Sequence, residues 1–241
     1  MSIIRNKPRT HVLDDNLGFE IAKGSLHNYK SINKFGYNPE VNSSEETLWY
    51  NGGTYIYPTT ATIVSLSSND NNDTQNIVII GLDANYNELE EEVTLNGTTT
   101  ITTTKTFFRV FRMYVNSGSN LNGTITAYIN GSIVASIEVD YNQTLMGLYT
   151  IPNGYTGYLN YLNASTGKQK EAIVMLKARN LNGVFNIKHL FQIYANQYIY
   201  EPTCPLKFEA KTDIEVSAMR SSGSGSLEIS TAFDLILIKD I

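Results

Sequence analysis

The residues that could carry out acid–base or nucleophilic chemistry are few and scattered along the chain. The sequence has three histidines, His11, His27 and His189, and a single cysteine, Cys204. A nucleophile needs a base within hydrogen-bond reach, and no serine elbow, HExxH motif or phosphate loop supplies such a pair. No cysteine and histidine cluster has the spacing of a zinc site. We therefore predict that the protein is not an enzyme and holds no cofactor and no metal.

The densest acidic segment places four glutamates within residues 88–92. In a β-strand Glu88, Glu90 and Glu92 would share one face, while Glu91 would point to the other. Catalytic carboxylates face each other across a cleft rather than along one strand. The segment therefore predicts a solvated face or an edge strand whose charges prevent pairing. The preceding residues 83–88 lack the glycine of a calcium loop and predict an Asx turn.

The chain is rich in tyrosine, with 16 in total, and aromatic rings can stack on sugars. In a regular strand Tyr149, Tyr155 and Tyr161 would lie on one face. They are the candidate glycan contacts of an alternative function, a carbohydrate-binding β-sandwich module of a head or tail fibre that adheres to host glycans. Tyrosines of a core or of a subunit interface would explain the same pattern.

The candidate residues discussed above lie in or beside short β-rich runs that are separated by Asn, Gly and Ser. No helical periodicity of apolar residues extends over three turns. About fourteen candidate strands, among them Tyr155–Leu162 and Val184–Tyr194, are too many for one seven-stranded sandwich. We predict an all-β fold of two antiparallel, jelly-roll-like β-sandwich domains preceded by an extended N-terminal arm. Three Asn-Gly pairs predict type I′ hairpins; they begin at Asn96, Asn122 and Asn130.

The predicted domain boundaries follow changes in composition. Residues 1–50 form the arm and an aromatic-rich lead-in, residues 51–142 the first sandwich, and residues 143–241 the second. The second boundary follows the polar turn Asp140–Gln143, after which the strand pattern restarts. A single, closely packed barrel is the alternative.

The N-terminal segment differs in charge from the rest of the chain. Residues 1–34 carry six basic and three acidic side chains, whereas the whole chain has a net charge of −5. Opposite charges favour docking of this arm on an acidic neighbour, although the arm could also fold over its own body. The candidate contacts with a capsid or with another subunit are Arg5, Lys7, Arg9, Phe19, Phe35, Tyr37 and Trp49.

Charge and hydropathy also exclude classes of partner. An acidic chain with a pI near 5.2 is unsuited to neutralising phosphates, so we predict no nucleic-acid partner. No run approaches 18 consecutive apolar residues, and the start has no apolar core of a signal peptide. We therefore expect neither a membrane partner nor export.

Nine segments also stand in the order found in a known family; they are Phe35–Pro39, Trp49–Tyr55, Gly81–Glu88, Leu95–Gly97, Phe108–Arg112, Thr144–Pro152, Pro205–Phe208, Lys211–Ile214 and Phe233–Leu237. On these segments the chain, from about residue 30 to residue 240, resembles virion structural proteins of tailed bacteriophages. The resemblance implies a virion protein made in the bacterial host cytoplasm, with the major capsid protein or other virion proteins as partners. It brings no catalytic residues. We favour capsid decoration by a homo-oligomer, with a trimer first, because decorated capsid sites often have threefold symmetry.

Overall fold

The computed structural model describes residues 17–167, 170–194 and 196–240. In this part of the chain one short helix, α1 (Leu17–Ala22), precedes seventeen strands, and no helix is long and apolar enough to cross a membrane. The strands in chain order are β1 (Tyr29–Val41), β2 (Glu46–Thr47), β3 (Thr62–Ser68), β4 (Asn76–Leu82), β5 (Glu88–Thr94), β6 (Ile101–Phe107), β7 (Arg109–Ser117), β8 (Ile125–Ile129), β9 (Ser132–Ile137), β10 (Leu148–Thr150), β11 (Tyr155–Thr166), β12 (Glu171–Arg179), β13 (Asn186–Tyr194), β14 (Gln197–Tyr200), β15 (Leu206–Phe208), β16 (Asp213–Arg220) and β17 (Leu227–Lys239).

These strands form four antiparallel sheets. Sheet I has the order β1-β17-β11-β14, with β15 also paired to β11, and sheet II has the order β10-β16-β12-β13, with β2 paired to β16. Sheet III is β6-β3-β8-β9, and sheet IV is β5-β4-β7. One cluster of buried apolar side chains draws members from all four sheets. The four sheets are arranged as the blades of a small, four-bladed β-propeller.

The all-β class agrees with the sequence analysis, but the prediction of two jelly-roll-like sandwiches is wrong. That prediction assumed that strands close in sequence pair within each half of the chain. Instead β1 pairs with β17 along most of its length, so residues 29–41 lie beside residues 227–239. The last residues of the predicted arm, 29–34, therefore belong to a strand of sheet I. The boundaries at residues 50 and 142 stay predictions.

A close backbone approach fixes the middle of β1. A Cβ atom at Gly36 would lie 2.2 Å from the carbonyl oxygen of Leu48 and 2.3 Å from the amide nitrogen of Gly147. Those two groups are hydrogen-bonded to each other at 2.8 Å. Glycine is required here because any side chain would separate β1 from the segments that follow β2 and precede β10.

The buried carboxylate of Asp213 joins sheet II to sheet IV. Arg109, the first residue of β7, donates from Nε and Nη2 to the two carboxylate oxygens at 2.9 and 3.0 Å. Arg179, the last residue of β12, donates at 2.5 Å, and the hydroxyl of Thr150 in β10 donates at 2.6 Å. Asp213 and Arg109 are only 3% and 5% exposed. We call Asp213, Arg109, Arg179 and Thr150 the Asp213 cluster.

We expect Asp213→Asn to lower the free energy of unfolding by about 3–5 kcal/mol, because removing one partner leaves buried guanidinium charge uncompensated. Urea unfolding followed by circular dichroism measures this loss. Asp240→Asn is the matched control, because Asp240 is exposed and accepts one side-chain hydrogen bond, from Thr156. A loss below about 1 kcal/mol for Asp213→Asn, within the range of an exposed pair, would contradict the assignment.

A second buried charge-bearing group, Lys34, lies in β1. Its side chain is 3% exposed, and its ammonium nitrogen donates to the carbonyl oxygen of Phe111. Phe111 is the extra residue of a bulge in β7, at which the pairing with β4 shifts by one residue. Lys34 therefore donates to a carbonyl group that the strand pairing leaves without a partner. Burial, with a smaller contribution from nearby Arg112, lowers the pKa of Lys34 well below its usual range.

This lowered pKa makes stability depend on pH. Because the folded chain gives up this proton at a lower pH than the unfolded chain, the wild type gains stability as pH rises from the lowered folded pKa toward the unfolded pKa of about 10.4. As pH is raised between about 6 and 9, the difference in unfolding free energy between Lys34→Met and the wild type should therefore shift toward the wild type, by up to about 1.4 kcal/mol per pH unit wherever the pH lies above the folded pKa.

Thermal and urea unfolding across this pH range measures the effect, with Lys30→Met as the control on the same strand. The pKa of Lys30 is raised: burial lowers it, but hydrogen bonds and charge interactions with Glu88 and Tyr155 together outweigh burial. Lys30 is therefore protonated in both states, and its replacement should add no pH slope. Parallel pH curves for the Lys34 variant and the wild type would contradict the lowered pKa of Lys34.

Candidate assembly surface

Strand β13 is the edge strand of sheet II and pairs with β12. Its register places Leu190 opposite Met175 and Tyr194 opposite Glu171. A bulge then skips Lys188, so that Ile187 lies opposite Lys177. Because side chains of directly paired residues share a sheet face, the bulge brings Ile187 onto the same face as Leu190 and Tyr194.

Most side chains on this face of β13 are apolar and exposed, and Gln192, opposite Ile173, is a polar member of it. Ile187 and Leu190 are both 53% exposed and Tyr194 is 63% exposed, while Val184, in the loop before the strand, is 73% exposed. We call these four residues the β13 surface. Large apolar side chains clustered on an edge strand mark a protein contact, because an isolated soluble chain gains nothing by keeping them in water.

The opposite face of β13 is fixed by aromatic stacking. The ring of His189 stacks on Tyr200 with centroids 3.9 Å apart, and Phe191 stacks on Tyr198 at 4.1 Å. Burial lowers the pKa of His189. These rings join β13 to β14 of sheet I, so the β13 surface lies on a strand that is held on its inner side.

The acidic segment of residues 88–92 lies on β5, which is the edge strand of sheet IV. Glu88, Glu90 and Glu92 are exposed, as the alternation predicts. Glu91 faces the other way and accepts hydrogen bonds from the backbone amides of Thr104 and Lys105 at 2.7 and 2.8 Å. Burial alone would raise the pKa of Glu91, but the hydrogen bonds outweigh burial and lower this pKa overall. The segment thus protects an edge and connects sheet IV to β6 of sheet III.

Metal-binding geometry is also absent from residues 17–167, 170–194 and 196–240. No group of three or more histidine, cysteine or carboxylate side chains is placed there to hold an ion. Asp83, in the segment compared with a calcium loop, instead accepts from the backbone amides of Asn85 and Asn87, both at 2.8 Å. This is the predicted Asx turn.

The residues predicted to contact a capsid lie in different environments. Arg5, Lys7 and Arg9 are outside the described residues. Phe19 is exposed on α1, and Phe35 and Tyr37 are half-buried on β1. Trp49 is 3% exposed and donates from Nε1 to the carbonyl oxygen of Gly52 at 2.8 Å. Its burial makes it part of the core and removes it from any external contact.

The three candidate glycan-binding tyrosines do not form an exposed row. Tyr149 is 1% exposed and packs against Phe111, with ring centroids 4.7 Å apart. Tyr155 and Tyr161 are half-buried on β11, and a bulge between Leu159 and Tyr161 shifts the alternation of that strand. Tyr161 therefore does not share the face that a regular strand would give it with Tyr155.

Comparison with known proteins gives only weak structural likenesses. No protein-family model and no curated protein sequence matches the chain. The chain is similar to the structure of infectious bursal disease virus, Gx strain, with a TM-score of 0.27, 6% identity and coverage of 88% of this chain and 72% of the other. It is similar to the PBSX exported protein XepA with a TM-score of 0.22, 10% identity and coverage of 84% and 86%. These scores are too low to assign a fold or a function.

Sequence reasoning missed the β13 surface. The strand itself was predicted over Val184–Tyr194, and its apolar residues are visible in the sequence. Strict alternation, however, would place Ile187 opposite to Leu190, because the two residues are separated by an odd number of positions. Only the bulge at Lys188 places the two side chains on the same face, and no turn-forming residue in the sequence indicates this bulge.

Proposed function

We propose that the protein is a non-enzymatic structural component of a virion that binds its neighbours through the β13 surface. The observation that supports this proposal most directly is the exposed apolar face of an edge strand whose other face is fixed by stacked rings. The resemblance of nine ordered segments to tailed-phage virion proteins gives the class of assembly. Within the virion the proposed role of the protein is to decorate the capsid, and its proposed partners are the major capsid protein or other virion proteins.

The proposed oligomer is a trimer assembled after synthesis in the bacterial host cytoplasm. A heterologous contact repeated around a threefold axis closes a ring in which the β13 surface of each subunit packs against a different surface of the next subunit. Aromatic and aliphatic residues are enriched at the centre of such contacts, and charged residues are depleted there. The β13 surface has this composition, whereas β5, with its exposed glutamates, suits a solvated edge.

We expect Leu190→Lys to abolish retention of the protein on virions without unfolding it. Leu190 is half exposed, so the folding cost should stay within about 1 kcal/mol, while a charge at the centre of an apolar contact loses its hydration on binding. Co-sedimentation of purified protein with particles that lack it measures retention. Ile63→Lys is the matched control, because Ile63 is 42% exposed on β3 of sheet III.

The two variants separate this proposal from its competitors. Loss of retention for Leu190→Lys with full retention of Ile63→Lys supports the β13 surface as the contact. Equal retention of both variants would place the contact elsewhere. Failure of the wild type to bind particles, with no copies found on virions by mass spectrometry, would overturn the virion role itself.

Native mass spectrometry tests the oligomer independently of particles. The wild type should give the mass of three chains, and Leu190→Lys should give the mass of one. A monomeric wild type at micromolar concentration would contradict a preformed trimer.

A further inference from the structure

A pocket of about 240 Å³ opens beside the Asp213 cluster, between the loop after β2 and the loop that joins β12 to β13. Its walls include the rings of Tyr57, Tyr86 and Phe108, and its charged lining consists of Arg109, Arg179, Lys211 and Asp213. Three cations against one carboxylate leave the pocket with a formal charge of +2. This excess is notable in a chain whose net charge is −5.

The carboxylate of Asp213 cannot neutralise the excess positive charge, because both of its oxygens already accept hydrogen bonds. Its oxygens already accept from Arg109, Arg179 and Thr150. Four of the five N–H donors of Arg109 are also used, because Nε and Nη2 donate to Asp213 and Nη1 donates to the carbonyl oxygens of Pro58 and Phe108, both at 2.9 Å. Asp213 and Arg109 therefore form the floor of the pocket and need no ligand.

Two donors remain for a ligand. Arg179 uses Nε and Nη2 on Asp213, which leaves Nη1 without an acceptor among the described residues. Lys211 has neither a carboxylate nor a carbonyl partner within the described ranges, and its ammonium nitrogen lies 5.7 Å from the ring centroid of Tyr86. The carboxylate nearest to Lys211 in sequence, Glu209, pairs with Lys207 at 2.8 Å.

The guanidinium of Arg179 is held in a fixed orientation. It lies 4.7 Å from the ring centroid of Tyr57 and 4.6 Å from that of Phe185. A guanidinium stacked on rings and bound to a carboxylate loses little conformational entropy when it binds a further acceptor. A planar donor and a nearby ammonium are the groups that proteins use to bind carboxylate and phosphate oxygens.

We propose that this pocket is a binding site for an oxyanion, with Arg179 and Lys211 as the donors. The volume lies below the range of about 300–1,000 Å³ typical of sites for drug-sized ligands, so the ligand is a free anion or one small group bearing a carboxylate or phosphate. Tyr86, which lines the pocket, provides an aromatic wall against which a sugar bearing such a group would lie. The site shares no residue with the β13 surface, and its proposal does not depend on the virion role.

Titration of the full chain by two-dimensional NMR at constant ionic strength tests the site with four probes: inorganic phosphate, acetate, glucuronate and glucose. The three anions should give saturable shifts of the amides around Lys211 and Asn182, and neutral glucose should give none. Tighter binding of glucuronate than of acetate would identify a sugar-borne oxyanion as the ligand. Equal affinities would identify a free anion.

Variants of Lys211 establish the role of the donor. Lys211→Gln should weaken anion binding about tenfold, the value of one charge-assisted hydrogen bond, and Lys211→Arg should retain it. Lys207→Gln is the matched control, because Lys207 is an exposed lysine four residues away that does not line the pocket. Unchanged thermal midpoints for all three variants show that folding is intact.

Two results would overturn the proposal. One is the absence of saturable shifts with every anion at millimolar concentration. The other is equal anion affinity for the Lys211→Gln and Lys207→Gln variants, which would show that the response reflects general charge rather than this pocket.

Discussion

The burial of one carboxylate, Asp213, constrains the arrangement of the sheets around it. A buried carboxylate is tolerated only when its charge is compensated and its lone pairs are bonded. Asp213 meets this requirement with groups from three other strands, namely Arg109 of β7, Thr150 of β10 and Arg179 of β12. Sheets II and IV cannot separate or slide past each other without leaving a buried charge unpaired, so the cluster fixes the position of one sheet relative to the other.

The consequences extend from this cluster to the surface. Arg109 also holds the loop after β2 through the carbonyl oxygen of Pro58. Arg179 ends β12 and lies over the adjacent rings of Tyr57 and Phe185, which fixes the start of the loop leading into β13. The edge strand that carries the proposed contact is thus anchored at its beginning by the cluster and along its inner face by the stacked rings of His189 and Phe191.

Local features of this fold were predictable from sequence, and those set by distant partners were not. Asn130 and Gly131 have the positive φ angles of the predicted hairpin turn between β8 and β9. The Asn-Gly pair at Asn122 does not form a turn of this type, because the buried carboxylate of Asp73 accepts from the backbone amides of Asn122 and Gly123. Asp73 lies some fifty residues earlier, and no local pattern indicates that contact.

The proposed contact surface and the proposed anion pocket were unpredictable for the same physical reason. Arg109 and Asp213 are 104 residues apart, so their pairing depends on the completed fold. The pairing of β1 with β17 joins the two ends of the described chain, and the bulges in β11 and β13 reverse the faces that alternation assigns. The glutamates of β5 were predicted correctly because an exposed edge strand leaves alternation undisturbed.

Differential scanning calorimetry of the wild type tests most directly the claim that the Asp213 cluster couples the sheets into one cooperative unit. The account predicts a single transition whose calorimetric and van't Hoff enthalpies agree. Two resolved transitions, or a calorimetric enthalpy well above the van't Hoff value, would contradict it and would instead support separate folding units divided near residue 142.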